Sequence, residues 1–192
     1  IGLESVSDDL SRAVVSVSSP KIPGALYVYN AEKRELAAFR QQYPGLAADE
    51  LAEVYAIEYP ARDGLTIPAY LTLPHGLSPK SARKLPFVVL PHGGPHARDF
   101  RRFDWMAQML ANQGYGVMQM NFRGSTGYGV AFEKAGRRQW GGVMLDDIND
   151  STQWLINNAL AEPTRICIVG QALGGYAAMM GGLQNPDLYR CA

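Results

Sequence analysis

Three things are scarce in this sequence: long apolar runs, an excess of charge of one sign, and cysteine. No apolar stretch approaches the ~20 residues that cross a bilayer, and 18 basic residues balance 18 acidic ones. Basic stripes mark nucleic-acid and anionic membrane surfaces, so we expect neither partner. The two cysteines, Cys167 and Cys191, cannot build a disulfide scaffold. Cys167 falls in an apolar run, and we interpret it as a small core residue.

The first residues also lack the features of a complete coding sequence. The chain begins at Ile1 rather than Met and shows no charged segment followed by an apolar one, so no signal peptide is predicted. We expect an internal fragment of a longer protein. The compartment therefore stays open, with the cytoplasm slightly favoured.

Two different strand patterns divide the chain near Leu51. Residues 11–39 contain three short strand-like runs separated by turn residues, a pattern typical of an antiparallel meander. One β-propeller blade has this form, and a small edge sheet is the alternative. From residue 53 onward, a hairpin is followed by alternating strands and helices, which favours a mostly parallel α/β sheet. We predict the end of a propeller-like domain over 1–50 and an α/β domain over 51–192.

A tight turn between a strand and a helix contains the residue that matters most for function. The run 166–169 predicts a buried strand, and the residues after Gly175 favour a helix. Between them, Gly170 and Gly174 frame Ala172, as glycines frame the serine in a Gly-x-Ser-x-Gly nucleophile elbow. The serine is missing here, and a methyl group cannot attack a carbonyl.

A second loop follows the predicted strand 87–90 and reads Pro-His-Gly-Gly-Pro over 91–95. Paired glycines let backbone amides approach a substrate oxygen closely, as an oxyanion hole requires. A plain Gly-Pro turn is the alternative. A metal site at His92 and His96 is disfavoured, because Gly-Gly-Pro prevents the helix that would align the two imidazoles.

A third loop, residues 121–129, follows the predicted strand 115–120 and contains Arg123, Gly124 and Tyr128. We expect it to pack beneath the site. A phosphate-binding loop is the alternative, but the Gly-Lys-Ser/Thr ending is absent. All three loops follow strands, and ligand sites of open α/β sheets lie at the carboxyl ends of strands. The sequence therefore predicts that the loops meet at one site.

Together these stretches resemble the prolyl oligopeptidase family of serine peptidases, particularly its acylaminoacyl-peptidase-like branch. The resemblance is carried by residues 61–64, 69–74, 92–95, 121–129 and 170–176. The family's Gly-x-Ser-x-Gly-Gly-Tyr elbow matches 170–176 one residue per position, with Ala172 in place of serine. The resemblance implies the N-terminal half of an α/β-hydrolase sheet, preceded by the end of a β-propeller.

The resemblance also implies roles for individual residues. The amides of Leu173 and Gly94 would form the oxyanion hole, and Ala172 should show a strained, positive φ. The family's acid and histidine follow the elbow in chain order, so both are expected beyond the chain end, and His75, His92 and His96 are not candidates for the triad base. No cofactor or metal is expected. The remaining site residues are Gly170, Gln171, Gly174 and Gly175 of the elbow and His92, Gly93, Pro95, Arg123, Gly124 and Tyr128 of the loops.

The leading hypothesis is a peptidase or acyl-peptide hydrolase that cleaves short peptides through a Ser-Asp-His triad, its serine replaced by Ala172 by design. A natural non-catalytic peptide-binding pseudoenzyme and a carboxylesterase of the same fold are the alternatives. The propeller-like segment favours peptides, because such a cap excludes large folded substrates. One edge of strand 164–169 would be left unpaired, so we expect the rest of the hydrolase domain or a self-association partner there.

Overall fold

A computed structural model describes all 192 residues, and its first 41 contain a four-stranded antiparallel sheet. The strands pair in chain order: β1 (Gly2–Val6), β2 (Arg12–Ser19), β3 (Ile22–Asn30) and β4 (Glu35–Gln41). The predicted three-stranded meander is confirmed as β2, β3 and β4. The extra strand β1 was missed because its five mostly exposed residues show no apolar alternation.

The second sheet is mixed and has five strands in the order β5-β6-β8-β7-β9. These strands are β5 (Val54–Pro60), β6 (Thr66–Thr72), β7 (Leu85–Val89), β8 (Gly116–Met120) and β9 (Ala161–Ile168). The hairpin predicted across Asp63-Gly64 is confirmed as β5 and β6. Only β8, β7 and β9 run parallel, whereas β6 pairs antiparallel with β8.

Three helices connect the strands, α1 (Trp105–Asn112), α2 (Val130–Ala135) and α3 (Val143–Asn157), and a fourth, α4 (Leu173–Gln184), follows β9. Helix α1 packs on β6 and β8, whereas α3 and α4 pack on each other and on β9. The chain moves across the sheet in opposite directions from β7 to β8 and from β8 to β9. Right-handed crossovers therefore place α1 and α3 on opposite faces. The six-residue α2 was not predicted, because it is too short for an apolar periodicity.

The α3 face of the sheet holds the main core. Met118 and Met120 of β8 lie beside Phe87 and Val89 of β7, and all four side chains are buried. Because the parallel strands carry helices on both sides, they are mostly apolar on both faces, with Gln119 of β8 as a buried polar exception. Gly116 allows this packing at the start of β8, since a Cβ there would meet the Phe87 ring.

Polar contacts join the first sheet and the connector to the α/β part. Lys21 Nζ donates to the Leu51 carbonyl at 2.7 Å and lies 3.0 Å from Glu53 Oε1. The buried Gln108 amide of α1 exchanges two hydrogen bonds with the backbone of Ala52. The predicted boundary near Leu51 falls between the two sheets, and the division into domains at that point stays a prediction.

The outer edge of β9 is paired by the last residues of the chain. The amide of Ile168 donates to the Cys191 carbonyl at 2.9 Å, and Arg190 donates to the Ile166 carbonyl at 2.8 Å. Cys167 and Cys191 stand opposite each other in this short parallel bridge and form a disulfide. Our interpretation of Cys167 as a mere core residue was wrong, because the return of the chain to this edge was not apparent from local sequence. A longer pairing partner for β9 stays a prediction.

Strand β9 begins three residues earlier than the sequence indicated. Its register against β7 shifts between Leu85 and Phe87, so the residues around Pro163 bulge out before regular pairing starts at Ile166.

None of the four helices has the length and apolar composition needed to cross a membrane.

Tyr189 fixes the returning C-terminal segment, and its removal should destabilise the protein. The side chain is 4% exposed, and its hydroxyl lies 2.9 Å from Thr152 Oγ1 and 3.0 Å from Asn149 Oδ1 on α3. We expect Tyr189→Phe to lower the free energy of unfolding by about 1 kcal/mol and Tyr189→Ala by about 3–5 kcal/mol. Urea denaturation measures both, with the more exposed Tyr115→Phe as a control that should change little. An unchanged Tyr189→Ala would mean that the C-terminal segment is not docked on α3.

Candidate active site

The loops after β7 and β9 meet at the carboxyl ends of adjacent parallel strands. After β7 the chain crosses to β8 on one side, and after β8 it crosses back to β9 on the other side of β7. Open α/β sheets bind ligands where the direction of crossing reverses in this way. The loop 91–95 follows β7, and the turn 170–172 follows β9. The sequence prediction that these two loops share one place is confirmed, since a Cβ added to Gly93 would lie 3.5 Å from Ala172 Cβ.

Glycines at the elbow are required by close packing. A Cβ on Gly170 would run into the backbone of Gly174, and a Cβ on Gly174 would run into the carbonyl of Pro91. A Cβ on Gly175 would approach the Gly170 carbonyl at 3.2 Å. The start of α4 is therefore pressed against both β9 and the loop after β7, which leaves no freedom in the path of the turn.

Ala172 occupies the tip of this turn in a strained conformation. Its φ is 55° and its ψ is −120°, and it is the residue before the first turn of α4. The positive φ predicted for it is confirmed. Residues with a Cβ rarely adopt this region, which costs roughly 1–3 kcal/mol. The side chain is exposed, so the fold presents this position to solvent as a nucleophile elbow does.

The amides of Gly94 and Leu173 are free of partners within the chain. Neither donates to a backbone carbonyl, and Leu173 begins α4, where amide groups have no partner inside the helix. The positive end of the α4 dipole adds to the attraction for an anion there. Their convergence on one oxygen stays a prediction.

The ring of His92 holds the peptide that carries the Gly94 amide. Its Nδ1 lies 2.6 Å from the Gly93 carbonyl, which can only accept, so Nδ1 carries the proton. The Gly93 carbonyl and the Gly94 amide belong to one planar trans peptide and point in opposite directions. Fixing the carbonyl towards His92 therefore fixes the direction of the Gly94 amide.

Ser125 and Phe122 hold the His92 ring itself. His92 Nε2 lies 2.8 Å from Ser125 Oγ, and the ring stacks on Phe122 with centroids 4.4 Å apart. Burial lowers the pKa of His92, which favours the neutral ring. In that state the single hydrogen of the Ser125 hydroxyl has two acceptors, His92 Nε2 and the Phe122 carbonyl at 2.6 Å. The same carbonyl also accepts from the Ser125 amide at 3.0 Å. The third loop thus supports the second one from below.

Arg123 is a structural residue of this third loop. Its side chain is 9% exposed and makes bidentate hydrogen bonds to both Asp147 and Asp63. These contacts raise the pKa of Arg123 and hold the pKa of Asp63 at about 2. Burial raises the pKa of Asp147, and the bonds from Arg123 offset part of that increase. With its donors engaged, Arg123 anchors the loop to α3 and the β5–β6 turn.

The other two predicted loop residues also serve the loop itself. The amide of Gly124 donates to the Phe132 carbonyl at 3.0 Å, and a Cβ on Gly124 would lie 3.3 Å from Gly136 Cα. Tyr128 receives hydrogen bonds from Arg98 and Asn121 on its hydroxyl. The sequence prediction that this loop packs beneath the site agrees with these contacts.

A cavity of about 370 Å³ lies directly beside the elbow. Four predicted site residues line it: His92, Gly93, Gly170 and Gln171. Sequence reasoning missed the other polar residues of its wall, Asp99, Asp104 and Gln119. No local motif marks them, since Asp99 follows an irregular loop and Asp104 is recognisable only as the N-cap of α1.

Asp99 is the most perturbed carboxylate of this wall. Burial and the neighbouring carboxylate of Asp104 raise its pKa to about 7, and Arg102 opposes the shift. Its Oδ2 is one of two buried side-chain oxygens without a hydrogen-bond partner, the other being Thr72 Oγ1.

A larger apolar groove of about 500 Å³ lies between the connector and α1, and shares only Trp105 with this cavity.

The fold defines an α/β hydrolase, and the turn between β9 and α4 carries Ala172 at its tip. The chain belongs to the prolyl oligopeptidase family, whose sequence model matches residues 101–192. Dipeptidyl aminopeptidase BIII of Pseudoxanthomonas mexicana is 36% identical over 182 residues, covering 93% of this chain and 26% of that protein. Dipeptidyl peptidase family member 6 of Caenorhabditis elegans is 32% identical over 211 residues, covering 100% of this chain and 28% of that protein.

Solved structures agree with this assignment. A puromycin-hydrolyzing peptidase of Mycobacterium tuberculosis superposes with a TM-score of 0.81 at 26% identity, covering 93% of this chain and 28% of that one. The α/β-hydrolase fold implied by the sequence is confirmed. The chain spans about a quarter of the length of the curated relatives it matches.

Removing the side chain at position 172 should relieve the backbone strain. We expect Ala172→Gly to raise the free energy of unfolding by about 1 kcal/mol, because glycine adopts positive φ at little cost. The gain is limited by the larger entropy of glycine in the unfolded chain. Ala177→Gly, at a regular helical position of α4, is the matched control and should destabilise by about 1 kcal/mol or more. Equal destabilisation by both changes would contradict a strained elbow.

Neutralising Asp99 should stabilise the protein at alkaline pH. The pKa of Asp99 in the folded protein, about 7, lies above the ordinary value of 3.8. The free energy of unfolding is therefore unaffected by its charge below pH 4, and it falls as the carboxyl ionises while the pH rises through 7. Asp99→Asn should therefore match the parent near pH 4 and exceed it at pH 8 by roughly 2–4 kcal/mol, at about 1.4 kcal/mol per pKa unit. Urea denaturation at both pH values measures this, with the exposed Asp8→Asn as control. A variant less stable than its parent at pH 8 would contradict the burial of an unpaired charge.

Proposed function

We propose that this chain is the part of a serine-type peptidase that carries the nucleophile position and the oxyanion-binding loop, and that the whole protein acts on short peptides. One observation carries the proposal. Ala172 sits exposed at φ 55° and ψ −120° between Gly170 and Gly174, whose missing Cβ atoms allow this turn. This geometry serves to expose a nucleophile, and it costs stability without one.

Stabilisation of the substrate oxygen depends on backbone amides and not on the missing hydroxyl. A peptide carbonyl lying over Ala172 would place its oxygen near the amides of Leu173 and Gly94. Such donors stabilise the negative charge that develops on that oxygen in the transition state. His92 would keep the Gly94 amide aimed at this place through the Gly93 carbonyl.

The side-chain part of the chemistry ends at Ala172. A serine hydroxyl would form the acyl-enzyme after transfer of its proton to a histidine, which an acidic residue orients. Alanine offers no lone pair, so no acyl-enzyme forms, and a peptide bound here leaves unchanged. We place the acid and the histidine of the triad in the remainder of the protein, in the chain order nucleophile, acid, base.

Two relatives support peptides as the substrate class. Their names describe a dipeptidyl aminopeptidase and a peptidase that hydrolyses puromycin, which makes small molecules with a peptide-like amide suitable test compounds. The segment that follows the four-stranded sheet supports a restricted entrance, since Tyr43 packs against Phe103, just before α1, with ring centroids 5.1 Å apart.

A natural peptide-binding protein without catalysis is the second candidate, and Ala172 itself favours it. Such a protein would keep the elbow and the oxyanion loop and lose the chemistry. The two candidates differ in whether the rest of the active site is intact, and restoring the serine distinguishes them.

Ala172→Ser should restore covalent reactivity only where a base is available. In the 192-residue chain we expect almost no turnover of peptide substrates, because a hydroxyl near its ordinary pKa is a poor nucleophile. In a full-length protein that contains this chain, the same change should give hydrolysis and labelling by a fluorophosphonate. Amide hydrolysis and mass spectrometry of the labelled residue measure the two effects.

Ala172→Thr is the matched control for the full-length protein, because its β-branched side chain carries a hydroxyl but fits the turn poorly. Strong turnover by the short chain would show that a base lies within these 192 residues. A full-length Ala172→Ser protein that folds but neither hydrolyses nor labels would favour the non-catalytic binder.

A further inference from the structure

The hydrogen bonds that hold the loop 91–95 contain one acceptor too many. With Nδ1 protonated, the neutral His92 ring donates to the Gly93 carbonyl at 2.6 Å and leaves Nε2 as an acceptor. Nε2 lies 2.8 Å from Ser125 Oγ, which in turn lies 2.6 Å from the Phe122 carbonyl. The Ser125 hydroxyl has a single hydrogen and is fully buried, so one of its two acceptors stays without a donor.

One proton added at His92 Nε2 satisfies every member of this chain of contacts. The charged ring donates at both nitrogens, to the Gly93 carbonyl through Nδ1 and to Ser125 Oγ through Nε2. The Ser125 hydrogen then belongs to the Phe122 carbonyl, and no acceptor is left over. Burial opposes the charge and lowers the pKa of His92, so the ring of the free protein is neutral near pH 7. The contacts therefore suit a charge that the free protein does not carry.

We propose that His92 takes up a proton from solvent when an anionic oxygen binds at the Gly94 amide, and that Ser125 is the positioning residue that accepts the resulting Nε2–H group. As the proton arrives, the hydroxyl hydrogen of Ser125 turns from His92 to the Phe122 carbonyl. The inference rests on the proposed function in one respect, since it takes the Gly94 amide as a donor to the substrate oxygen.

The peptide between Gly93 and Gly94 couples the two charges. His92 Nδ1 donates to its carbonyl, and its amide points to the opposite side. A charged donor on the carbonyl makes a stronger hydrogen bond and polarises the peptide, which makes the Gly94 amide a better donor to an anion. Coupling of this kind is reciprocal, so an anion at the Gly94 amide favours the charged form of His92 by the same free energy.

Two carboxylates share the cavity wall with His92, and both favour a charged ring. His92 is half-buried and lines the cavity of about 370 Å³ together with Asp99 and Asp104, so its ring exchanges protons with solvent. Neither carboxylate is a hydrogen-bond partner of the ring, whose contacts are with Gly93 and Ser125. Because the pKa of Asp99 is raised to about 7, this carboxyl is largely neutral at pH 6.5. Any test must therefore distinguish a proton on His92 from one on Asp99.

The cations of the neighbouring elements are already paired. Arg123 of the third loop is held by two carboxylates. His96, in the same loop as His92, has its Nδ1 3.3 Å from Glu133 on α2. The turn 170–174 contributes no titratable side chain. None of these groups places an unpaired positive charge against the ring that would oppose its protonation.

Ala172 makes the test an equilibrium measurement, because bound peptides are not consumed. Two probes are titrated by calorimetry into a full-length protein that contains this chain, with alanine kept at position 172. The dipeptide Ala-Phe ends in a carboxylate, whereas Ala-Phe amide ends in a neutral amide of the same shape. At pH 6.5 both probes carry a protonated amine. Phosphate and Tris buffers release different heats on ionisation, so the difference in binding enthalpy between them counts the protons taken up.

We expect Ala-Phe to bind with uptake of about half a proton more than Ala-Phe amide, because only the carboxylate brings an anion to the Gly94 amide. The carboxylate oxygen stands here for the oxygen that becomes negative in the transition state.

Three variants assign the proton. His92→Asn should abolish the extra uptake, because asparagine keeps an N–H donor for the Gly93 carbonyl but does not titrate. Ser125→Ala should reduce the extra uptake by about half or more, because the charged ring loses the acceptor of its Nε2–H group. Asp99→Asn should preserve the extra uptake. The melting temperature of each variant verifies that it is folded.

Different results overturn different parts of the inference. If Ala-Phe and its amide both bind with equal proton uptake, the coupling is absent and the proposed function still stands. Extra uptake that survives His92→Asn, or that disappears in Asp99→Asn, places the proton on another group and also overturns the coupling. Extra uptake unchanged by Ser125→Ala removes Ser125 as the positioning residue. Failure of both probes to bind counts against the proposed function and removes the inference with it.

Discussion

The site depends on one steric constraint: the start of α4 lies so close to β9 and to the loop after β7 that no Cβ fits between them. Gly170 faces the backbone of Gly174, and Gly174 faces the Pro91 carbonyl. The pairing of β7 with β9 fixes the distance between the two loops. Because the surroundings over-determine the turn, Ala172 is held at a positive φ that an isolated alanine would leave. The loop 91–95 and the turn at Ala172 therefore form one unit that is built largely from backbone.

This division between backbone and side chains explains how the elbow persists without its hydroxyl. Glycines and backbone carbonyls shape the turn. The third loop supports it, because Ser125 contacts the His92 ring. Arg123 fixes that loop by binding both Asp147 and Asp63. None of them needs a reactive atom at position 172. The turn can thus keep its geometry with only a methyl group at its tip.

How far the sequence predicted this structure depended on how local each signal was. The hairpin β5–β6, the three parallel strands and the elbow were identified because alternation, short apolar runs and paired glycines are properties of a few adjacent residues. Strand β1 and helix α2 were missed because each is too short to show a period. The disulfide of Cys167 and the unsatisfied oxygen of Asp99 were missed for another reason, because both depend on contacts between segments distant in sequence. Cys191 comes to lie beside Cys167, whereas no donor comes to lie beside Asp99 Oδ2.

Asp99 and Ala172 also show opposite ways in which a site can cost stability. At Ala172 the cost is conformational and is paid in every state of the protein, since the turn is fixed whether or not a ligand is present. At Asp99 the cost is electrostatic and depends on pH, because burial and Asp104 raise the pKa of its carboxyl to about 7. Protonation of Asp99 below that pH removes the cost of burying its charge, whereas no change of pH relieves the strain at the elbow.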